Sequence, residues 1–339
     1  MHDVFSLQKK LMPDFLIVMA KRYHILQYLR LTGPIGRRSL SASLGVTERV
    51  LRKEVEFLNK QGLLRTTAGG MTLTAEGEEL LGGLEEMMKE VSGLRELERT
   101  LERKLNVPEV IVVSGDSDKA PWVKKDMGRA CVARLYEDLQ DRNIVAVAGG
   151  TTLAAAAEMM RPVPGERKVL FVPARGGLGE RVENQANTIC AQMAARAEGD
   201  YRLLHVPDQL SDDAYQSLIT EPGVKDVLRL IRDAGIVVHG IGEAITMARR
   251  RKSPPELMEK IEQERAVAEA FGYFFDDSGQ VVHKIKTIGL QLEDLKAKRT
   301  VIAVAGGASK AEAIAAFFRQ HPRSVLVTDE GAATVLAGM

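Results

Sequence analysis

The sequence contains few of the residues that would mark a secreted or metal-binding protein. Its 339 residues include two cysteines, Cys131 and Cys190, without a Cys-x-x-Cys pair, and six histidines without His-x-x-x-His spacing. We therefore expect no disulfide framework, no metal site, and residence in a reducing cytoplasm. No apolar stretch approaches about 20 residues, which excludes a membrane-spanning helix and argues against a membrane partner.

Two common nucleotide-binding motifs are also missing. The chain has no Gly-x-x-x-x-Gly-Lys-Ser/Thr loop of the Walker A type and no Gly-x-Gly-x-x-Gly fingerprint. Both motifs place backbone N–H groups around a nucleotide phosphate, so their absence gives no support for a nucleotide cofactor. We predict that the protein binds no cofactor.

The net charge of +1 hides an uneven distribution of charges. Residues 1–75 carry twelve Lys or Arg against five Asp or Glu, while residues 76–339 are net acidic. A basic head on an acidic body favours contact with a polyanion at one end of the chain.

The head has the pattern of a winged helix-turn-helix, which we assign to residues 1–75. Helical spacing runs from Asp14 to Leu31, a second short helix from Gly36 to Leu44, and Thr47 is a good N-cap for a third helix to about Gln61. The segment from Leu63 to Leu73 predicts a β-hairpin. The alternative is a small helical module that docks a protein.

In a winged helix-turn-helix the third helix enters the major groove of double-stranded DNA. We expect its core face to contain Val50, Leu51, Val55 and Leu58. The candidate contacts to bases or phosphates are Arg37, Arg38, Thr47, Arg49, Arg52 and Lys53.

Residues 76–106 repeat apolar side chains in steps of three and four, with Glu98 interrupting one position. This heptad pattern predicts a linker helix, which would pair subunits into a homodimer or homotetramer. An ordinary amphipathic helix packed on the larger domain fits the pattern equally well.

Residues 107–339 predict a doubly wound α/β domain, because short apolar runs alternate with helical segments. We expect its strands at Val110–Val113, Ile144–Ala148, Val169–Val172, Tyr201–Val206, Ile236–His239, Val301–Ala305 and Ser324–Val327. Ligands of such folds bind beyond the carboxyl ends of the strands.

Two of the predicted strands, Ile144–Ala148 and Val301–Ala305, are followed by nearly the same sequence, which is a Gly-Gly pair and then small or hydroxyl residues. Backbone N–H groups at such a turn attract anions, so the pair predicts a ligand with two phosphates. Arg175 and Arg250 could clamp phosphate oxygens, and Gln185 and Glu269 could bind sugar hydroxyls. The two turns contribute the candidates Gly149, Gly150, Thr151, Thr152, Gly306, Gly307, Ser309 and Lys310.

These strand ends resemble the sugar-binding domain of SorC-type bacterial transcriptional regulators. The resemblance rests on Gly149-Gly150-Thr151-Thr152, Gly176-Gly177-Leu178-Gly179, Gly240-Ile241-Gly242-Glu243 and Phe271-Gly272-Tyr273-Phe274-Phe275-Asp276. That domain is similar to sugar-phosphate isomerases of the glucosamine-6-phosphate deaminase and ribose-5-phosphate isomerase type. Many SorC-type regulators carry a homeodomain-like DNA-binding domain, whereas the sequence of this chain predicts a winged helix-turn-helix.

The resemblance implies a repressor of an operon for lower-glycolysis enzymes, with fructose-1,6-bisphosphate as the inducer. By position it implies effector contacts from Thr151, Thr152, Arg175, Gln185, Arg250, Glu269 and Lys310. It implies no enzymatic activity. The alternative is a sugar-phosphate isomerase or deaminase with an accessory DNA-binding head, for which Asp116, His239, Glu243 and Glu269 are available as acids or bases.

Overall fold

The computed structural model describes residues 11–177, 181–207 and 210–339. The chain divides into two compact units, residues 1–96 and 97–339. Within the described residues, no helix combines the length and the apolar character needed to cross a membrane.

The first unit is a winged helix-turn-helix, as the sequence predicts. Its elements are α1 (Pro13–Thr32), α2 (Arg37–Leu44), α3 (Glu48–Lys60), β1 (Leu64–Thr67), β2 (Gly70–Leu73) and α4 (Ala75–Val91). Strands β1 and β2 pair antiparallel as the wing. The Thr47 side chain accepts a hydrogen bond from the N–H of Val50 and thereby caps α3.

The core of the first unit is made by one apolar stripe on α3, together with α1 and the wing. Leu51, Val55 and Leu58 are buried, at the spacing of one helical face. The prediction that Val50 joins this core is wrong, because Val50 is 39% exposed. It lies about 100° around the helix from Leu51, outside the stripe.

The predicted linker helix is divided into two helices. The break lies between α4 and α5 (Leu94–Leu105), where Gly93 has a φ of +77°, a conformation that few side chains tolerate. The boundary between the two units falls within α5. On α5 the interrupting Glu98 is buried and accepts the N–H of Val112 at 2.9 Å, so its polar side chain has a structural role.

The second unit is an α/β domain whose helices and strands alternate. After α5 its first elements are β3 (Val110–Val113), α6 (Val123–Glu137), β4 (Arg142–Val147), α7 (Thr151–Met159), β5 (Lys168–Pro173), a 3₁₀ turn (Val182–Asn184), α8 (Ala186–Ala197), β6 (Asp200–Tyr201), α9 (Asp212–Thr220), α10 (Pro222–Asp233) and β7 (Ile236–Gly240). They continue with β8 (Gly242–Glu243), α11 (Ala244–Arg250), α12 (Pro255–Gln263), β9 (Ala266–Ala270), β10 (Tyr273–Asp276), β11 (Val281–Lys284), a 3₁₀ turn (Leu292–Ala297), β12 (Thr300–Val304), a 3₁₀ turn (Ala308–Lys310), α13 (Ala311–Gln320), β13 (Val325–Asp329) and α14 (Glu330–Gly338).

Seven of these strands form one parallel sheet in the order β3-β13-β12-β7-β4-β5-β6. The chain runs outward from β4 to β5 and β6, then returns to the opposite side of β4 with β7. The order therefore reverses between β4 and β7, and a crevice opens at the carboxyl ends of neighbouring strands at such a switch point. Both strands are buried along most of their length.

Two features of the second unit differ from the sequence prediction. The expected strand at Tyr201–Val206 is limited to β6, and residues 202–205 are irregular. A second sheet, antiparallel in the order β11-β10-β9-β8, was not predicted. Its residues Phe274 and Phe275 are fully buried, so packing with the rest of the domain stabilises a strand pair that has little local alternation.

Candidate effector site and nucleic-acid interface

A cavity of about 350 Å³ lies at the switch point, beyond the carboxyl ends of β4, β7 and β12. The segment from Ala148 to Leu153 forms one wall, and the segment from His239 to Glu243 forms another. Ser309 and Lys310, which follow β12, line a third part of the cavity. Three separate strand ends thus converge on one space, as the sequence predicts for a doubly wound sheet.

The first Gly-Gly turn leads directly into the N-terminus of α7. Gly150 has a φ of +122°, and no side chain caps the helix. The first N–H groups of a helix have no intrahelical acceptor, and they lie at the positive end of the helix dipole. Thr151 and Thr152 lie at this end and line the cavity, with Thr152 only 5% exposed. The arrangement is suited to a phosphate.

Cationic side chains surround the same cavity. Arg175, Arg250 and Lys310 line it together with Lys124, which sequence reasoning missed. Burial lowers the pKa of Lys310, and the neighbouring charges of Lys124 and Arg250 lower it further. An anion in the cavity would relieve this repulsion between cations.

Glu269 lies under the cavity in a buried ionic network. Its Oε1 atom accepts hydrogen bonds from Arg251 Nη2 at 2.6 Å and from the N–H of Gly272 at 2.7 Å, and it lies 3.6 Å from Arg175 Nη1. Burial by itself would raise the pKa of Glu269, but Arg251, Arg175 and the Gly272 N–H hold the pKa below its ordinary value. The carboxylate is therefore charged and fixed in position. Arg251 was not predicted from the sequence, although Arg250 beside it was.

The second Gly-Gly turn differs from the first in that its N–H groups already have acceptors. The N–H of Gly307 donates to the Asp329 carboxylate at 2.8 and 2.9 Å. The N–H of Ser309 donates to Asp118 Oδ2 at 2.8 Å. Ser309 and Lys310 line the cavity, whereas Gly306 and Gly307 are buried behind it. Only the outer part of this turn therefore borders the cavity.

Gln185 lies apart from the other predicted effector residues. It lines a separate surface depression with Asn187 and His205. It is still a neighbour of the first Gly-Gly turn, because a Cβ at Gly149 would lie 3.8 Å from the Gln185 carbonyl carbon. The predicted Gly-rich motif near it continues through residues 178–180, which lie outside the described residues.

The candidate acids and bases of an isomerase are each held by other groups. Glu243 accepts the N–H groups of Ile245 and Thr246 and caps α11. Asp116 accepts the N–H of Asp118 and lies 3.1 Å from Lys119 Nζ. His239 is buried against Phe271 and Phe317, and burial lowers its pKa to about 4. Across the described part of the chain, no group of His, Cys, Asp and Glu is suited to hold a metal ion.

The first unit presents a basic surface around α2 and α3. All six predicted contact residues are exposed, namely Arg37, Arg38, Thr47, Arg49, Arg52 and Lys53. Arg38 lies 3.6 Å from Glu48 in a solvent-exposed ion pair. Such pairs contribute little, so Arg38 can exchange this partner for a phosphate. Val50 on α3 and Arg65 on the wing are also exposed, and neither is among the predicted contact residues.

Comparison with protein families and known proteins agrees with this two-part organisation. Residues 18–88 match the CggR N-terminal DNA-binding domain, and residues 89–337 match the Sugar-bind family of sugar-binding domains. The central glycolytic genes regulator of Priestia megaterium (strain DSM 319 / IMG 1521) is 62% identical over 337 residues, covering 99% of this chain and 98% of the relative. The regulator of the same name from Bacillus subtilis (strain 168) is 60% identical over 336 residues, covering 99% of each chain.

Solved structures of related proteins have the same fold. A SorC family transcriptional regulator from Enterococcus faecalis is 47% identical, with a TM-score of 0.68, and the match covers 71% of this chain and 99% of the other. The full-length sorbitol operon regulator SorC from Klebsiella pneumoniae shares the fold at 18% identity, with a TM-score of 0.68, over 95% of this chain and 98% of the other. The relatives are transcriptional regulators and not enzymes. The chain therefore belongs to the family of the central glycolytic genes regulators, SorC-type transcriptional regulators that join a DNA-binding domain to a sugar-binding domain.

Proposed function

We propose that the protein represses an operon of lower-glycolysis genes and that fructose-1,6-bisphosphate is its inducer. Residues 1–75 bind operator DNA, residues 76–106 link and pair the subunits, and residues 107–339 bind the effector. The protein acts in the cytoplasm as a homodimer or homotetramer. The observation that carries the proposal is the cavity where the uncapped N-terminus of α7 faces Lys310 and the cavity-lining arginines.

The charges of the cavity favour a doubly phosphorylated ligand. Four cationic side chains line it, and its three carboxylates each accept a hydrogen bond from the protein, Glu243 from the α11 N-terminus, Glu269 from Arg251 and Asp118 from the Ser309 N–H. One phosphate would bind the N–H groups and hydroxyls of Thr151 and Thr152. The other cations lie on different segments around the cavity, so a phosphate at the far end of the sugar would meet a separate positive group.

The proposed DNA contacts follow from the exposed basic face of α2 and α3. Arg49 and Arg52 on α3 are suited to guanine edges or to phosphates in the major groove, and Lys53 to phosphates. Arg37 and Arg38 precede the turn and are suited to the DNA backbone. Effector binding would lower operator affinity if the sugar binds two states of the assembly with different affinities.

The proposal is tested by fluorescence anisotropy with full-length protein and labelled DNA from upstream of its own gene. We expect tight binding at moderate salt, which millimolar fructose-1,6-bisphosphate weakens or makes non-cooperative. Fructose 6-phosphate and fructose at the same concentration are the matched controls, and we expect a smaller effect from each. Tight binding that is indifferent to the bisphosphate would reject this inducer, and absence of sequence-specific binding would reject the repressor.

A further inference from the structure

The carboxylate of Asp118 occupies backbone donors at the edge of the effector cavity. Asp118 lies on the loop that joins β3 to α6, and its Oδ2 atom accepts the N–H of Ser309 at 2.8 Å. Both residues line the cavity, and Asp118 is exposed. The second Gly-Gly turn thus binds an anion that belongs to the protein itself.

Asp118 differs from Asp329, which accepts the Gly307 N–H of this turn; a third carboxylate, Asp116, accepts the Ala308 N–H at 3.4 Å. Asp329 is fully buried and accepts N–H groups from Ser117, Gly307 and Ala332, so it connects three segments and caps α14. Asp118 is an exposed residue whose carboxylate lies against Gly307 and, among the residues that the structure describes, accepts only the Ser309 N–H. Removing Asp329 from the turn would disrupt the fold, whereas removing Asp118 would break one exposed hydrogen bond.

The charge of Asp118 also acts on the cavity. Asp118 attracts the ammonium group of Lys310, while Lys124 and Arg250 repel it. Glu243 and Glu269 each accept two hydrogen bonds from the protein, whereas in the part of the chain that the structure describes Asp118, the third carboxylate lining the cavity, accepts one. A phosphate that approached Ser309 and Lys310 would therefore meet this carboxylate first.

We propose that Asp118 is an internal anion that a phosphate of the effector must displace from the Ser309 N–H, beside Lys310. This inference rests on the proposed function and identifies a residue that sets the affinity and selectivity of the same site. A phosphate held only at Thr151 and Thr152 leaves Asp118 in place. A second phosphate replaces the Asp118 carboxylate at the Ser309 N–H, so this exchange weakens binding of a bisphosphate and requires the Asp118 side chain to turn away from Ser309. Binding of a monophosphate is not weakened in this way.

The test compares Asp118→Asn and Asp118→Ala with the wild-type protein by calorimetric titration. The ligands are fructose-1,6-bisphosphate, fructose 6-phosphate and inorganic phosphate. Asparagine keeps an acceptor for the Ser309 N–H but removes the charge, so its thermal stability should match that of the wild type. We expect both variants to bind the bisphosphate about tenfold more tightly, as loss of a charge-assisted hydrogen bond would allow. Affinity for fructose 6-phosphate should change by less than about twofold.

Asp213→Asn, an exposed charge change on α9, is the matched control and should leave all three affinities unchanged. Weaker bisphosphate binding by Asp118→Asn, or an equal gain for both sugars, would overturn the inference. If the wild-type protein fails to bind the bisphosphate, the proposed inducer is wrong. Inorganic phosphate then decides the Asp118 inference, because a first phosphate binds at Thr151 and Thr152 and a second, weaker one must displace Asp118. Asp118→Asn must strengthen only this second binding step, and an unchanged second step would overturn the inference.

Discussion

Arg251 and Glu269 form a buried ion pair at the cavity of the switch point, with 2.6 Å between Arg251 Nη2 and Glu269 Oε1. The side chains of the two residues are 0% and 4% exposed. Arg250, the preceding residue, is exposed and lines the cavity instead. Two adjacent arginines therefore have different positions, one fixing a buried carboxylate and the other lining the cavity.

Replacing Arg251 should destabilise the second unit. Arg251→Met leaves the buried Glu269 carboxylate without its closest cation, and we expect unfolding to become easier by about 3–5 kcal/mol. Arg249→Met, an exposed change on the same helix, should stay within about 0.5 kcal/mol of the wild type. Urea denaturation followed by circular dichroism measures both. Equal urea midpoints for the two variants would show that the Arg251–Glu269 ion pair contributes nothing to stability.

His239 should make the protein less stable as the pH falls. Burial lowers its pKa from an ordinary 6.5 to about 4. Between these two values the unfolded chain binds the proton and the folded chain does not, so stability is full above pH 6.5 and is lost toward pH 4. The loss attributable to His239 is about 2 kcal/mol between pH 7 and 5. His321, whose pKa burial also lowers to about 4, adds to the same trend.

The measurement is the free energy of unfolding from pH 7 to 5 in the wild type and in His239→Asn. The variant removes one titrating group, so its stability should depend on pH about half as steeply as that of the wild type. The comparison uses the slope, which does not depend on any constant loss caused by the substitution itself. Parallel slopes would mean that the pKa of His239 is the same in the folded protein as in the unfolded chain, as for an imidazole that is accessible to solvent.

Arg52→Ala should weaken operator binding by about tenfold or more, because arginine contacts to bases or phosphates contribute about 1–3 kcal/mol. Effector binding should be unchanged, since Arg52 lies in the first unit. Anisotropy titrations at several salt concentrations also separate the two kinds of contact, because loss of a phosphate contact lowers the salt dependence by about one ion. Arg229→Ala, on exposed α10, is the control and should bind operator normally. Normal operator binding by Arg52→Ala would remove this residue from the interface.

Thr152→Val keeps the shape of the side chain at the start of α7 and removes its hydroxyl. We expect about tenfold weaker binding of fructose-1,6-bisphosphate, since one hydrogen bond to a charged group is lost. Operator affinity without effector should not change. Thr220→Val, at the exposed end of α9, tests for a general effect of the substitution. An unaltered calorimetric affinity for the bisphosphate would exclude the Thr152 hydroxyl from the site.

Cys131 and Cys190 should be unreactive in the folded protein. Both are buried, and burial raises the pKa of each thiol to about 12, which removes the nucleophilic thiolate at neutral pH. A thiol–disulfide exchange reagent should therefore modify neither cysteine in native buffer and both in urea. Rapid modification of the native protein would indicate that the helix α6 or α8 opens locally.

Much of the fold could be predicted from the sequence because its signals are local. Parallel strands buried on both faces appear as short apolar runs, and Thr47 marks the start of α3 by capping chemistry that needs only neighbouring residues. The antiparallel sheet had no such signal. Its strand β9 reads Ala-Val-Ala-Glu-Ala, and only packing of the adjoining Phe274 and Phe275 reveals it as core.

The candidate effector site contains features that neighbouring residues in the sequence could not predict. The two Gly-Gly turns have almost the same sequence, yet the N–H groups of one lie at an uncapped helix terminus and those of the other bind carboxylates. The difference comes from Asp118, 191 positions from Ser309, and from Asp329, 22 positions from Gly307. Nothing within either turn specifies which distant side chain will reach it. For the same reason the sequence could not distinguish Arg250 from Arg251.

The strand order of the parallel sheet also has a consequence for synthesis of the protein. Strand β3 is the first of the seven to be translated, yet among the described residues its one neighbour in the sheet is β13, the last. Asp329, at the end of β13, then joins the Ser117 loop to the Gly307 turn. The winged helix-turn-helix, in contrast, is built from consecutive elements and needs no later sequence. On the ribosome the DNA-reading unit can therefore fold long before its sugar sensor exists, and an interrupted chain would retain the fold that reads the operator but could not respond to the effector.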